Sequence, residues 1–218
     1  LNWKRQAIYA VVSACLISPL AAPQLLAFPY SARVGAHRVY SQTPIGPQIR
    51  TIVENADRLA ARSPIALPNA TQPIFLTDGG WRWNLLALAS RSAFAFSRTP
   101  LETIVVNRSD PLNDEAFRPA EVGGTRSLTG TLAHEMTHSA IRAHFGPFAD
   151  FRYPAWLREG YCDYVAGGGS ITDDEAKVLM KEHPDHSALV YWRGRKQIES
   201  ELERNGKSIE AVFKNHGT

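Results

Sequence analysis

The chain changes character near residue 127. Before that point short runs of β-branched and aromatic residues alternate with helical spacing, and after it the pattern is helical almost throughout. The stretches "AHRVYSQTPI" (36–45), "PIFLTD" (73–78), "AFAFS" (93–97) and "ETIVVN" (102–107) read as strands. The last two form the arms of a hairpin around Arg98-Thr99-Pro100. Between them, 47–63 opens on Pro47 and spaces Ile49, Ile52, Val53, Ala56 and Leu59 at helical intervals, and 81–90 reads as a short helix. A loop rich in Asp, Pro and Gly covers 108–126. Helices are predicted from about Ser127 to Phe145, stopped by Gly146-Pro147, then from Pro154 to the Gly167-Gly168-Gly169 run, and from about Asp173 to the end. This order predicts an α+β domain: one small, mostly antiparallel or mixed sheet followed by a helical part.

The 218 residues suffice for one domain with a sizeable core. A formal charge of +3, with no basic run interleaved with aromatics, argues against a nucleic-acid partner. Cys15 and Cys162 lie far apart in sequence, one in an apolar N-terminal segment and one in the folded part, so no disulfide between them is expected.

Residues 7 to 28 carry no charge and are mostly apolar, long enough to span a bilayer. Lys4 and Arg5 precede the run, Trp3 and Tyr30 flank it, and Pro19 and Pro23 lie within it. The segment 1–33 therefore reads as an uncleaved N-terminal transmembrane anchor, with 34–218 as the folded domain on the non-cytoplasmic side, in the periplasm or at the cell exterior. A cleaved signal peptide, which would make the protein secreted, is the competing reading. A lipoprotein box at "VSAC" or a buried core helix are further ones.

The chemistry concentrates in "TLAHEMTHSAIRAHFG" (131–146). His134-Glu135-Met136-Thr137-His138 places two imidazoles four residues apart, hence on one helix face, where they can grip one Zn²⁺ with Glu135 beside them as the base for a water. His144 tempts as a third ligand, but position 141 is Ile, and nothing there breaks the helix. His144 would then point about 240° away from His138. Glu159, 21 residues beyond His138 on the next predicted helix, is the better candidate. Asp163, one turn further, can accept a hydrogen bond from the free ring N–H of His134. Gly160 would allow the two helices to approach closely, and Trp156, Tyr161 and Tyr164 would pack them together.

An H-E-x-x-H followed some twenty residues later by E-x-x-x-D resembles the gluzincins, the thermolysin-like zinc metallopeptidases. The string W-L-x-E-G-x-x-D-Y is similar to their small bacterial peptidase-MA-type members. The resemblance covers roughly residues 36 to 166; the tail matches loosely. It implies a zincin-like fold, a Zn²⁺ held by His134, His138 and Glu159, Glu135 as general base, and a peptide or protein substrate lying along an edge strand, for which "AFAFS" is the candidate. It also implies an oxyanion donor from the helical half: Tyr191 holds the corresponding position, with His183 and His186 as rivals. A different class stays open, a membrane-tethered scaffold or binding module that keeps the metal as a structural staple, Cys162 being the one further soft ligand nearby.

Overall fold

The computed structural model describes residues 3–99 and 101–217, without the side chains of residues 15–17. Residue 100 of the hairpin turn and the Cys15 side chain thus lie outside the described residues. Cys162 is a free, buried thiol.

The strands are β1 (Tyr30–Val34), β2 (His37–Ser41), β3 (Pro73–Leu76), β4 (Ala95–Arg98) and β5 (Thr103–Val106), in the order β1-β2-β3-β5-β4. The β1–β2 and β4–β5 pairs are antiparallel, while β3 runs parallel to β2 and β5, so the sheet is mixed. β1 starts at Tyr30, inside the stretch assigned above to the N-terminal segment, and Gly35 at φ +56 closes its hairpin with β2. The expected loop 108–126 instead forms a second sheet of three-residue strands, β6 (Arg108–Asp110), β7 (Glu115–Phe117) and β8 (Thr125–Ser127), too short to leave a period in the sequence.

Helices cover both faces of the large sheet. Ile74 and Leu76 of β3 and Ile104 and Val106 of β5 face α2 (Gln48–Ala60) and α4 (Leu128–Phe145), while Phe75 and Val105 face α3 (Trp81–Ala87). Past α4 come the short α5 (Ala149–Arg152), α6 (Ala155–Val165), α7 (Asp173–Glu182), α8 (Ser187–Arg204) and α9 (Ile209–His216). A second core of Ile141, Leu157, Tyr161, Ile198, Val212 and Phe213 joins α4, α6, α8 and α9. α4 is the central element, buried from Leu128 to Arg142.

The expected transmembrane anchor is corrected. α1 (Trp3–Ala21) stops within the apolar run, because Pro23 pulls Ala22 out of helical geometry (φ −134°, ψ 75°) and opens a 3₁₀ turn over Pro23–Leu26. Lys4 and Arg5 fall inside the first turn. The uncharged remainder, about 24 Å at 1.5 Å per residue, is shorter than a hydrocarbon core of ~30 Å. Among the described residues no helix is long and apolar enough to cross a membrane. Leu20, Leu26 and Phe28 pack instead on Phe75 and Trp83, and Arg82 donates to the Leu26 carbonyl at 2.8 Å.

Candidate metal centre

α4 is held at its start by two side chains. Ser127 caps Gly130 N–H at 3.1 Å. Asp114 reaches across from the β6–β7 turn, its carboxylate accepting from Thr129 N–H (2.8 Å), the Thr129 hydroxyl (2.9 Å) and the Ser127 hydroxyl (2.7 Å). The first turn of α4 has no acid of its own, so Asp114 supplies the negative charge its N-terminus favours. The helix then runs unbroken through Ile141, and Gly146 ends it. His144 sits 4.0 Å from Glu210 of α9, pointing away from His134 and His138.

On a helix buried over four turns, an ionisable side chain without a partner is costly. Arg142 is paired with Glu102 and with Asp150 (3.2 Å), and donates to the Ser97 hydroxyl at 2.8 Å. His134 is gripped on both ring nitrogens, Nδ1 lying 2.7 Å from Asp163 Oδ1 and Nε2 3.2 Å from Glu159 Oε2. No hydrogen bond or ion pair engages the buried Glu135 carboxylate among the described residues. It faces a cleft of about 270 Å³ lined also by His134, His138, Glu159 and Tyr191.

Three atoms converge there. His134 Nε2, His138 Nε2 and Glu159 Oε2 form a triangle with sides of 3.2, 3.2 and 3.3 Å. Ligands 2.0–2.1 Å from a tetrahedral ion stand about 3.3–3.4 Å apart, so one small ion fits this triangle with almost no movement. The other Glu159 oxygen, Oε1, lies 3.6 Å from Arg158, which also pairs with Asp150 at 3.4 Å. The ligand atoms of His134, His138 and Cys162 also lie within 4.8 Å of one another and form a group that can hold a metal. Burial, then the nearby Glu159, Glu135 and Asp163, push the Cys162 thiol well above its ordinary pKa, so it keeps its proton.

The electrostatics follow from the same contacts. Burial opposes charge on His134, but the Asp163 carboxylate, and then Glu159, push its pKa up to about 10. Burial likewise opposes the Glu159 anion, yet His138 and His134 hold it well below its usual range. Asp163 is kept ionised against burial by Arg126 and His134. Arg126, from β8, donates to Asp163 Oδ1 at 3.2 Å and to the Gly168 carbonyl at 3.1 Å. Nothing in the 108–126 sequence pattern marked Arg126; it is found only once the second sheet is seen.

Tyr191 lines the cleft, its hydroxyl pushed up to about 12 by burial and then by Glu159 and Asp163, so it stays a neutral donor. Its rivals lie elsewhere: His183 ends α7, and His186 caps α8 by accepting from Ala188 N–H at 3.2 Å. The close approach at Gly160 is real but has another partner. A Cβ there would fall 2.4 Å from the Gly194 carbonyl carbon, so Gly160 admits α8 rather than α4, and with it Tyr191 three residues earlier. The aromatic packing is corrected too. Tyr161 joins α6 to α4 and hydrogen-bonds Ser63 at 2.6 Å, and Trp156 packs on the same core while its ring also meets His216, but Tyr164 is exposed. "AFAFS" supplies β4, an outer strand paired only with β5, and residues 93–97 line the cleft.

No protein-family model matches this chain, and no curated protein matches it in sequence.

Proposed function

We propose that the chain is a zinc-dependent peptidase of gluzincin type, with a zincin-like fold. The observation that carries this reading is the triangle of His134, His138 and Glu159 beside an unengaged, buried Glu135. Two imidazoles and one carboxylate suit Zn²⁺, and three protein donors leave a four-coordinate ion open on one side. When bound, the ion would supply a Lewis acid that polarises a carbonyl and acidifies a water.

The remaining work belongs to the chain's own groups. Glu135 has a free carboxylate inside the cleft, able to take a proton from water and later hand it to a departing amine. Asp163 holds Nδ1 of His134, which turns Nε2 towards His138 and Glu159. Tyr191 keeps its proton and can donate to an oxygen that gains negative charge. β4 offers a free strand edge on which an extended peptide can add main-chain hydrogen bonds.

The test is zinc content and peptide cleavage for wild type and Glu135→Gln. Both should hold one equivalent of zinc, with cleavage reduced about 10²–10⁴-fold in the variant. Zinc at one equivalent with no cleavage of any peptide in a broad library refutes the reading. A second reading rests on Cys162: were it a fourth ligand, the site would be closed and the zinc structural. Cys162→Ser then separates the two, since the peptidase retains zinc in this variant and the scaffold loses it.

A further inference from the structure

The cleft carries a cation with no carboxylate partner among the described residues. Four arginines line it: Arg118, Arg126, Arg142 and Arg158. Three have carboxylate partners, Asp163 for Arg126, Glu102 and Asp150 for Arg142, and Asp150 and Glu159 for Arg158. Arg118 has none among the described residues.

Arg118 is nevertheless held in place. It directly follows β7, and its backbone N–H bonds the Gly124 carbonyl at 2.9 Å across the tight connection to β8. Its Nε donates to the Gly123 carbonyl at 3.0 Å, and the guanidinium lies 5.1 Å from the centre of the Phe94 ring, at the start of the edge strand. Nε–H is thereby used, and among the described residues no hydrogen bond engages the two terminal nitrogens, which can also grip a carboxylate. Arg118 and Tyr191 line the same cleft as the metal triangle and are electrostatic neighbours.

The charge continues outward. Arg118 also lines a neighbouring cleft with Arg91 and Arg108, which likewise have no carboxylate partner; Asp78 is the single acid in that lining. A substrate segment leaving the site past Tyr191 therefore meets a partly buried guanidinium and then two exposed ones.

We propose that Arg118 is a specificity-determining residue that binds a carboxylate of the substrate, so that the protein selects peptides presenting one beside the site. This rests on the peptidase reading above. Two sources share the chemistry, an Asp or Glu side chain and a free C-terminal carboxylate. Charge-assisted bonds to a partly buried fork select the charged ligand over its neutral isostere by about ten- to hundredfold.

The experiment uses the full chain as the zinc-loaded Glu135→Gln variant, so that peptides bind without being cut. Three versions of each peptide are titrated: Glu-containing with an amidated C-terminus, its Gln isostere amidated, and the Gln isostere with a free C-terminus. Either carboxylate-bearing peptide should bind at least about tenfold more tightly than the neutral one, and which of them does names the source. Adding Arg118→Gln should bring the ratio to about one, and Arg118→Lys should restore part of it. Equal binding of all three peptides, or a preference that survives Arg118→Gln, overturns the proposal. The measurement reads binding alone, so failure of cleavage in the wild type refutes the peptidase reading without deciding this one.

Discussion

Gly160→Ala is the sharpest perturbation of the site that touches none of its chemistry. The added Cβ would stand 2.4 Å from the Gly194 carbonyl carbon, 2.5 Å from its oxygen and 2.9 Å from Arg195 N. Ordinary carbon contacts are ~3.5–4.0 Å, so α6 and α8 must separate by about 1 Å. The atoms in the way are backbone and cannot rotate aside. Overpacking of this kind costs about 1–3 kcal/mol, against a gain of up to about 1 kcal/mol from replacing glycine in a helix. A net loss of about 1–2 kcal/mol lowers the melting temperature by roughly 2–8 °C at this chain length. The more telling effect is on Tyr191, carried on α8 one turn before Gly194. A displacement near 1 Å costs a donor of this kind up to about 10²-fold in kcat. Zinc content should hold, because His134, His138 and Glu159 lie on α4 and α6. Calorimetry, zinc analysis and steady-state kinetics read the three quantities. A melting temperature within about 1 °C of wild type would show that the two backbones do not meet at Gly160.

Metal uptake should carry a proton signature. A metal takes the neutral ring of His134, whose pKa stands near 10 with protein groups alone, so apparent affinity should rise about tenfold per pH unit and level off near pH 10. Competition with a chromophoric chelator measures this, and a flat profile would refute the protonated His134–Asp163 pair. The same raised pKa stabilises the metal-free fold fully below about pH 6.5, and that contribution is lost as pH rises through about 10, so its denaturation midpoint should fall over this window. Asp114→Ala removes three hydrogen bonds and the anion at the start of α4, and should cost about 1–2 kcal/mol in chemical denaturation, with Asp114→Asn costing less. An unchanged midpoint would mean that α4 needs no cap from outside.

Local rules carried far along this chain. Ser127 and Gly146 bound α4 because capping and termination are decided by a few adjacent residues. His134 and His138 share a face with each other, as do Glu159 and Asp163, because i,i+4 spacing fixes it. What stayed hidden depends on contacts distant in sequence. Arg126 lies in a three-residue strand and Arg118 directly after one, neither with a readable period, and Gly194 becomes informative only when Gly160 is seen against it. The apolar run 7–28 misled because hydropathy is blind to the break that Pro23 makes, after which the chain turns into the docked 3₁₀ segment and β1.

The pairing of Arg158 with Glu159 bears on the denticity Glu159 would offer a metal. With Oε1 facing the guanidinium and Oε2 facing the two imidazoles, Glu159 would offer a metal one oxygen rather than two. A carboxylate free to rotate could swing both oxygens onto the ion and fill its sphere. Arg158 is itself anchored by the Tyr153 carbonyl and by Asp150, which Arg142 shares, so the rotation would give up an ion pair to a guanidinium held in place. Were an ion held there, the outer arginine would thereby favour leaving its remaining positions to solvent or substrate.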